Sequence, residues 1–381
     1  MDTLLDYVKW MEDFDFRTIP LREADILVLS LVAYFDLTPA FAGETSQDIF
    51  LRDMIPLADS GQARLLITGG DMGNRAVFEA AVHSERFGSL RMTDCVDLLS
   101  ENPPLQFAAV TFRCDEFSLI TFRGTDSSLA GWKENFMIAF TRTRAQELAA
   151  EYANHVIAST DNPCYIAGHS KGSNLALYAG CFLTDANLEK TRRIYALDGP
   201  GFCPYVIAPS LIRRIDAKTV FINPEFDIIG KILAPRLSDV RIIASFREGI
   251  AQHSLPSWLI DHGKLALVPA NDPRSTRLNQ ILDEWIADKS PAVRKLFIDE
   301  LFDTIAENGI TDFEELRLDS LIEILIGLRS ASDSTKDALK ELRHRLLDPD
   351  DLFESSLEKA RHNLKELKSN LKAHSAKKRL L

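Results

Sequence analysis

The chain has 381 residues, 46% hydrophobic and 26% charged, and a formal charge of -12 at neutral pH. That length can bury a large core, with or without an appendage, and so acidic a balance argues against a general nucleic-acid binder, which needs a basic face for phosphates. Five cysteines, odd in number and widely spaced, suit neither a disulfide framework nor a zinc site. With no cleavable leader pattern and no window of about 18 uninterrupted apolar residues, a cytoplasmic protein without a transmembrane segment is expected.

In chain order, "DTLLDYVKWMEDF" is amphipathic at helical period, and "LREADILVLSLVAYFDL" repeats apolar residues at i, i+3 and i+4 until Pro39 stops it. "RAVFEAAVHSERF" predicts a further helix. "LQFAAVTFR" and "FSLITFRGTD" predict two adjacent strands around the turn Cys114-Asp115-Glu116. Then come a helix in "TRAQELAAEYANHVIAS", a strand in "PCYIAG", a helix in "GSNLALYAGCFLTD", a strand and turn in "RRIYALDGPG", and strands in "TVFINP" and "VRIIAS". Strands alternating with helices give a largely parallel sheet covered by helices, an α/β body over 1–270 that includes the N-terminal helices.

Near Asn271 the pattern turns to charged helices such as "AVRKLFIDELFDTIAENG" and "FEELRLDSLIEILIGLRS", so 271–381 is expected to be a helical extension. Its last helix begins with aspartates and ends in lysines and arginines, eight against two Glu from Ser355 onward, which suits the helix dipole. A basic amphipathic helix can lie on an anionic membrane or dock on a protein. Without Trp or Phe anchors on its basic face, packing on the body is the simpler expectation.

The stretch "CYIAGHSKGSNLALYAG" holds a Gly-x-Ser-x-Gly between a predicted strand and a predicted helix. A serine on so tight a turn is exposed at the sheet edge, Gly168 and Gly172 keep side chains out of the crossing, and the helix N-terminus faces any developing oxyanion. Ser170 is therefore the candidate nucleophile, and it needs a base. Two downstream histidines qualify. His253 follows a strand and a glycine-containing loop, and His262 reads as a surface residue near a turn; His169, beside the serine, is expected to pack and orient the loop. For the acid, Asp198 ends one strand and Asp227 follows the next. Strand order favours Asp227, with Asp198 as the alternative. Oxyanion donors are expected from Thr125, after the strand and Gly124, and from the backbone N–H of Lys171.

"ITFRGTD", "GWKENF", "AGHSKGSNLALYA", "LDGPGF", "INPEFDIIGKIL" and "AQHSLPSW" together resemble, in order and spacing, the bacterial Mbeg1-like proteins, relatives of the class 3 lipases in the α/β-hydrolase superfamily. The resemblance spans roughly residues 1 to 265 and departs from the lipases in the lysine after the serine. It implies an α/β-hydrolase fold and a serine ester hydrolase with Ser170 as nucleophile, Asp227 as acid, His253 as base and Thr125 with Lys171 as oxyanion donors. It also implies a small-molecule or lipid ester substrate, no cofactor or metal, and "GPGFCPYVIAPSLI" as an apolar cover for the pocket. The alternative expectation is a catalytically idle binding or scaffold protein that uses its helical tail.

Overall fold

The computed structural model describes residues 1–41, 49–67, 71–102, 104–125, 133, 137–139, 141–307 and 331–346. The expected helix over 313–330 and the basic helix from 348 to the C-terminus lie outside the described residues.

Helix α1 (Leu4–Met11) starts at a capping box between Thr3 and Asp6 and buries Leu4, Tyr7, Val8 and Met11, one stripe at helical spacing. Helix α2 (Glu23–Val32) is buried almost all round, which makes the N-terminal layer part of the core. It carries a charge inward: Asp25 meets Arg86 at 2.6 Å with both side chains fully buried, and Tyr7 Oη donates to Asp25 Oδ1 at 2.9 Å. Arg86 also donates to the carbonyl oxygens of Phe14 and Ile19, so the buried pair is hydrogen-bonded on both sides. Helix α3 (Asn74–His83) packs against α1 and α2.

Among the described residues a sheet of nine strands crosses the body in the order β1-β2-β3-β4-β5-β6-β7-β8-β11. The strands are β1 (Ile49–Phe50), β2 (Arg91–Glu101), β3 (Pro104–Arg113), β4 (Ser118–Phe122), β5 (Cys164–His169), β6 (Thr191–Leu197), β7 (Thr219–Pro224), β8 (Val240–Ile243) and β11 (Leu267–Val268), with β9 (Ile260–Asp261) and β10 (Lys264–Leu265) forming a separate hairpin. β1 to β4 pair antiparallel, β4 to β8 pair parallel, and β11 closes antiparallel on β8. The expected hairpin before the parallel strands is β3–β4.

Helices α4 (Arg144–Ala158), α5 (Lys171–Cys181) and α6 (Pro209–Ile215) occupy the three crossovers between β4 and β7. Alternate side chains divide between the faces: Leu119, Ala167, Val220 and Ile222 meet the N-terminal helices, whereas Ile120, Phe122, Ile166 and Phe221 meet α4 to α6. This is the α/β architecture expected from the sequence, a mostly parallel sheet covered by helices. The segment expected to cover the pocket instead buries Cys203, Ile207 and Ile212 and exposes Tyr205, because apolar residues such as Ile207 and Ile212 complete the core on the α5 side.

Three helices of the extension are described, α7 (Pro273–Asp288), α8 (Pro291–Glu307) and α9 (Asp333–Leu346). α7 meets the segment after β7: Asp272 N donates to Glu225 O at 2.8 Å and Asn279 Nδ2 to Asp227 O at 2.6 Å. The composition changes near 270, and packing carries on across that point.

Candidate active site

Strands β4, β5, β6 and β7 run parallel and end at one edge of the sheet, and every expected site residue except His262 comes from that edge or the loops beside it. At the end of β5 the chain turns into α5 through Ser170, whose φ of 59° and ψ of −127° are unusual for a residue with a side chain. The two glycines are required by contact: a Cβ on Gly168 would stand 2.1 Å from Gly172 O, and one on Gly172 would stand 2.1 Å from Phe122 O. Ser170 N donates to Leu197 O at 2.9 Å, so the serine is bonded to the residue before Asp198.

Asp198 ends β6 with φ 41°, a second strained backbone at the same edge. Its Oδ2 lies 2.6 Å from His253 Nδ1. His253 is delivered by the turn Gly249–His253, anchored where Trp258 Nε1 donates to Gln252 O at 2.8 Å. Sequence order favoured Asp227 as the histidine's partner; the structure puts Asp198 there. The reason is local geometry. Asp198 sits directly at the strand end, next to the serine's own backbone bond, whereas Asp227 lies three residues beyond β7, and its Oδ2 accepts from Asn223 Nδ2 at 2.7 Å. The two carboxyls share one donor, Gly230 N, which reaches Asp198 Oδ1 at 3.0 Å and Asp227 Oδ1 at 2.7 Å. Burial raises the Asp198 carboxyl, but the His253 charge and the hydrogen bonds from His253 and Asp227 outweigh it and hold it below its usual range. Burial, followed by the negative charge of Asp198, pushes Asp227 well above its own.

The model of the family described as Mbeg1-like matches residues 81–303. The chain belongs to the Mbeg1-like family. Among solved structures it is similar to a mutant form of MDLA from Penicillium cyclopium, at 12% identity over 64% of this chain and 83% of that one with a TM-score of 0.36. A second similar structure is the M37 lipase, at 13% identity over 55% and 70% with a TM-score of 0.32. The comparison with curated proteins gave no match.

The remaining expected residues of this Mbeg1-like site fall as follows. Thr125 is buried, and its Oγ1 has no hydrogen-bond partner among the described residues. Gly124 before it packs on the elbow, since a Cβ there would meet Tyr34 Oη at 1.9 Å and His169 O at 2.8 Å. Lys171 is fully buried and its Nζ donates to Gln106 Oε1 at 2.9 Å and to the Gln106 carbonyl; Gln106 Nε2 in turn donates to Gly124 O at 3.3 Å. A hydrogen-bonded path therefore ties the residue after the serine to the residue before Thr125. His262 is remote from this edge. It occupies the tight β9–β10 turn at φ 50°, with its side chain 95% exposed and paired with Asp261.

His169 packs behind the serine. Its Nε2 donates to His253 O at 2.8 Å, which leaves Nδ1 to accept from Tyr34 Oη at 2.9 Å. Its ring lies 4.5 Å from that of His253. Burial, then the neighbouring His253 charge, lower its pKa to about 3, so it is neutral at physiological pH. His169, Asp198 and His253 are close enough to hold a metal ion, but both nitrogens of His169 already have partners. Gln106 and Tyr34 escaped sequence analysis. A glutamine in a strand and a tyrosine after a helix carry no pattern that marks them.

Proposed function

We propose that this protein is a serine ester hydrolase acting through Ser170, His253 and Asp198. The observation that carries the reading is the 2.6 Å contact of Asp198 with His253 Nδ1 beside a serine on a strained βα turn. With Nδ1 on the carboxylate, Nε2 is the nitrogen left to take a proton. Among the described residues no hydrogen bond joins the Ser170 hydroxyl to His253, and such bonds often tighten only when substrate is bound.

In this reading Ser170 Oγ attacks the ester carbonyl carbon while His253 Nε2 accepts its proton. The oxyanion accepts hydrogen bonds from the backbone N–H of Lys171 and from Thr125, whose buried hydroxyl has no partner among the described residues. Collapse breaks the bond to the alcohol oxygen, and His253 returns the proton to that oxygen. Water, deprotonated by His253, then attacks the acyl carbon, the bond to Ser170 Oγ breaks, His253 returns the proton to Oγ, and the carboxylic acid leaves. Turnover of short-chain p-nitrophenyl esters tests it: Ser170→Ala is expected to lose about 10⁴-fold or more of kcat, and His262→Ala to keep its rate. Equal turnover by folded Ser170→Ala would defeat the reading.

A further inference from the structure

The acid pocket holds two buried carboxyl groups where a histidine needs only one. Gly230 N donates to both, to Asp198 Oδ1 at 3.0 Å and to Asp227 Oδ1 at 2.7 Å. Both groups crowd this glycine so closely that a Cβ on it would stand 2.8 Å from Asp198 Oδ1 and 3.0 Å from Asp227 Oδ2. Each carboxyl is buried to 1% exposure or less. Two like charges so placed cannot both persist, so one oxygen must carry a proton.

The neighbours decide which one. Asp198 faces His253 at 2.6 Å and, more distantly, the neutral His169. Asp227 faces Asn223 from β7, Gly230 from its own turn and Asn279 from α7, which binds its backbone oxygen; Lys231 is the cation whose charge it feels. The group against the histidine keeps the charge, and the group against amides keeps the proton.

We propose that Asp227 is a neutral positioning residue that donates a hydrogen bond to the Asp198 carboxylate and holds it square to His253. This rests on the Ser170, His253 and Asp198 reading for its effect on rate, but not for the protonation of Asp227. It assigns the two aspartates different work: Asp198 supplies the charge, and Asp227 supplies a donor. It also explains why α7 reaches this pocket, since Asn279 fixes the backbone from which Asp227 projects.

The test compares Asp227→Asn, Asp227→Leu and Asp198→Asn in the full-length protein. Asparagine at 227 keeps the size and an N–H donor, so kcat is expected to stay within about tenfold of wild type, while leucine, which removes the donor, lowers kcat about tenfold to a hundredfold. KM should not move in either, because Asp227 touches no substrate. Asp198→Asn should fall about 10⁴-fold. A readout independent of catalysis is the infrared C=O band of a neutral carboxylic acid, expected in wild type at neutral pH and missing from Asp227→Asn. Absence of that band in wild type overturns the proposal, as does an Asp227→Asn variant as slow as Asp198→Asn. If wild type hydrolyses no ester, the proposed function falls, and the infrared band still decides the state of Asp227.

Discussion

The serine turn and the acid pocket lie at the same edge of the same sheet, and they are fixed by different physics. Contact between backbones fixes the turn: Gly168 against Gly172 and Gly172 against Phe122 leave no room for a Cβ. Electrostatics shapes the pocket: two buried carboxyls share one N–H, and one of them meets a histidine. A steric requirement leaves its mark in the sequence as glycine. A choice between two aspartates leaves none, because either residue type satisfies the pattern.

The widest separation between the two regions is in their response to conservative change. In the pocket, the isosteric changes Asp198→Asn and Asp227→Asn should differ in kcat by about a thousandfold, since only the first removes the charge that stabilises the imidazolium. At the turn, Gly172→Ala adds one methyl group at 2.1 Å from Phe122 O, and overpacking of this kind is expected to cost about 1–3 kcal/mol or more in urea unfolding. An alanine there that unfolds like wild type would mean the turn can relax, and the contrast between the regions would weaken.

A smaller effect separates the two by pH. His169 has a pKa lowered to about 3 in the fold against about 6.5 in the unfolded chain. The unfolded chain therefore binds a proton that the native state refuses. Stability from His169 is full above about pH 6.5 and declines as pH falls toward 3. His169→Gln should remove that slope in urea unfolding measured across the range. Asp227 has the opposite sign: its folded carboxyl is raised, so its contribution is full below about pH 3.9 and is lost as pH rises through the folded value. Smallest of all, His262→Ala should change stability by no more than about 0.5 kcal/mol, as for an exposed side chain whose pair with Asp261 lies in solvent.

Much of the body was legible because β4 to β8 are short apolar runs bounded by turns, with helices of clear period between them. β2 was not. A register shift between Thr93 and Val96 and a left-handed Asp94 break its alternation, and Leu98 and Leu99 on it are exposed. Helix α2 also stops at Val32, well before Pro39, because the chain folds back there: Tyr34 N bonds Leu31 O, and Phe35 bridges to Leu65. The expected helix after the polar loop breaks at Ser84, whose hydroxyl caps the short turn Glu85–Gly88. In the site, glycines, a strand end and a downstream loop marked Ser170 and His253. The histidine's partner depended on how far two strand ends reach in space, and Gln106 and Tyr34 act through contacts that no local pattern encodes.

The most direct measurement is the rate of covalent labelling by a fluorophosphonate, followed by intact mass and site mapping, on wild type, Ser170→Ala, Asp198→Asn and Asp227→Asn. One adduct on Ser170 is predicted in wild type, none in Ser170→Ala, a severe slowing in Asp198→Asn and a rate within about tenfold of wild type in Asp227→Asn. An unlabelled but folded wild type would contradict the account, and so would an Asp227→Asn variant that labels as slowly as Asp198→Asn.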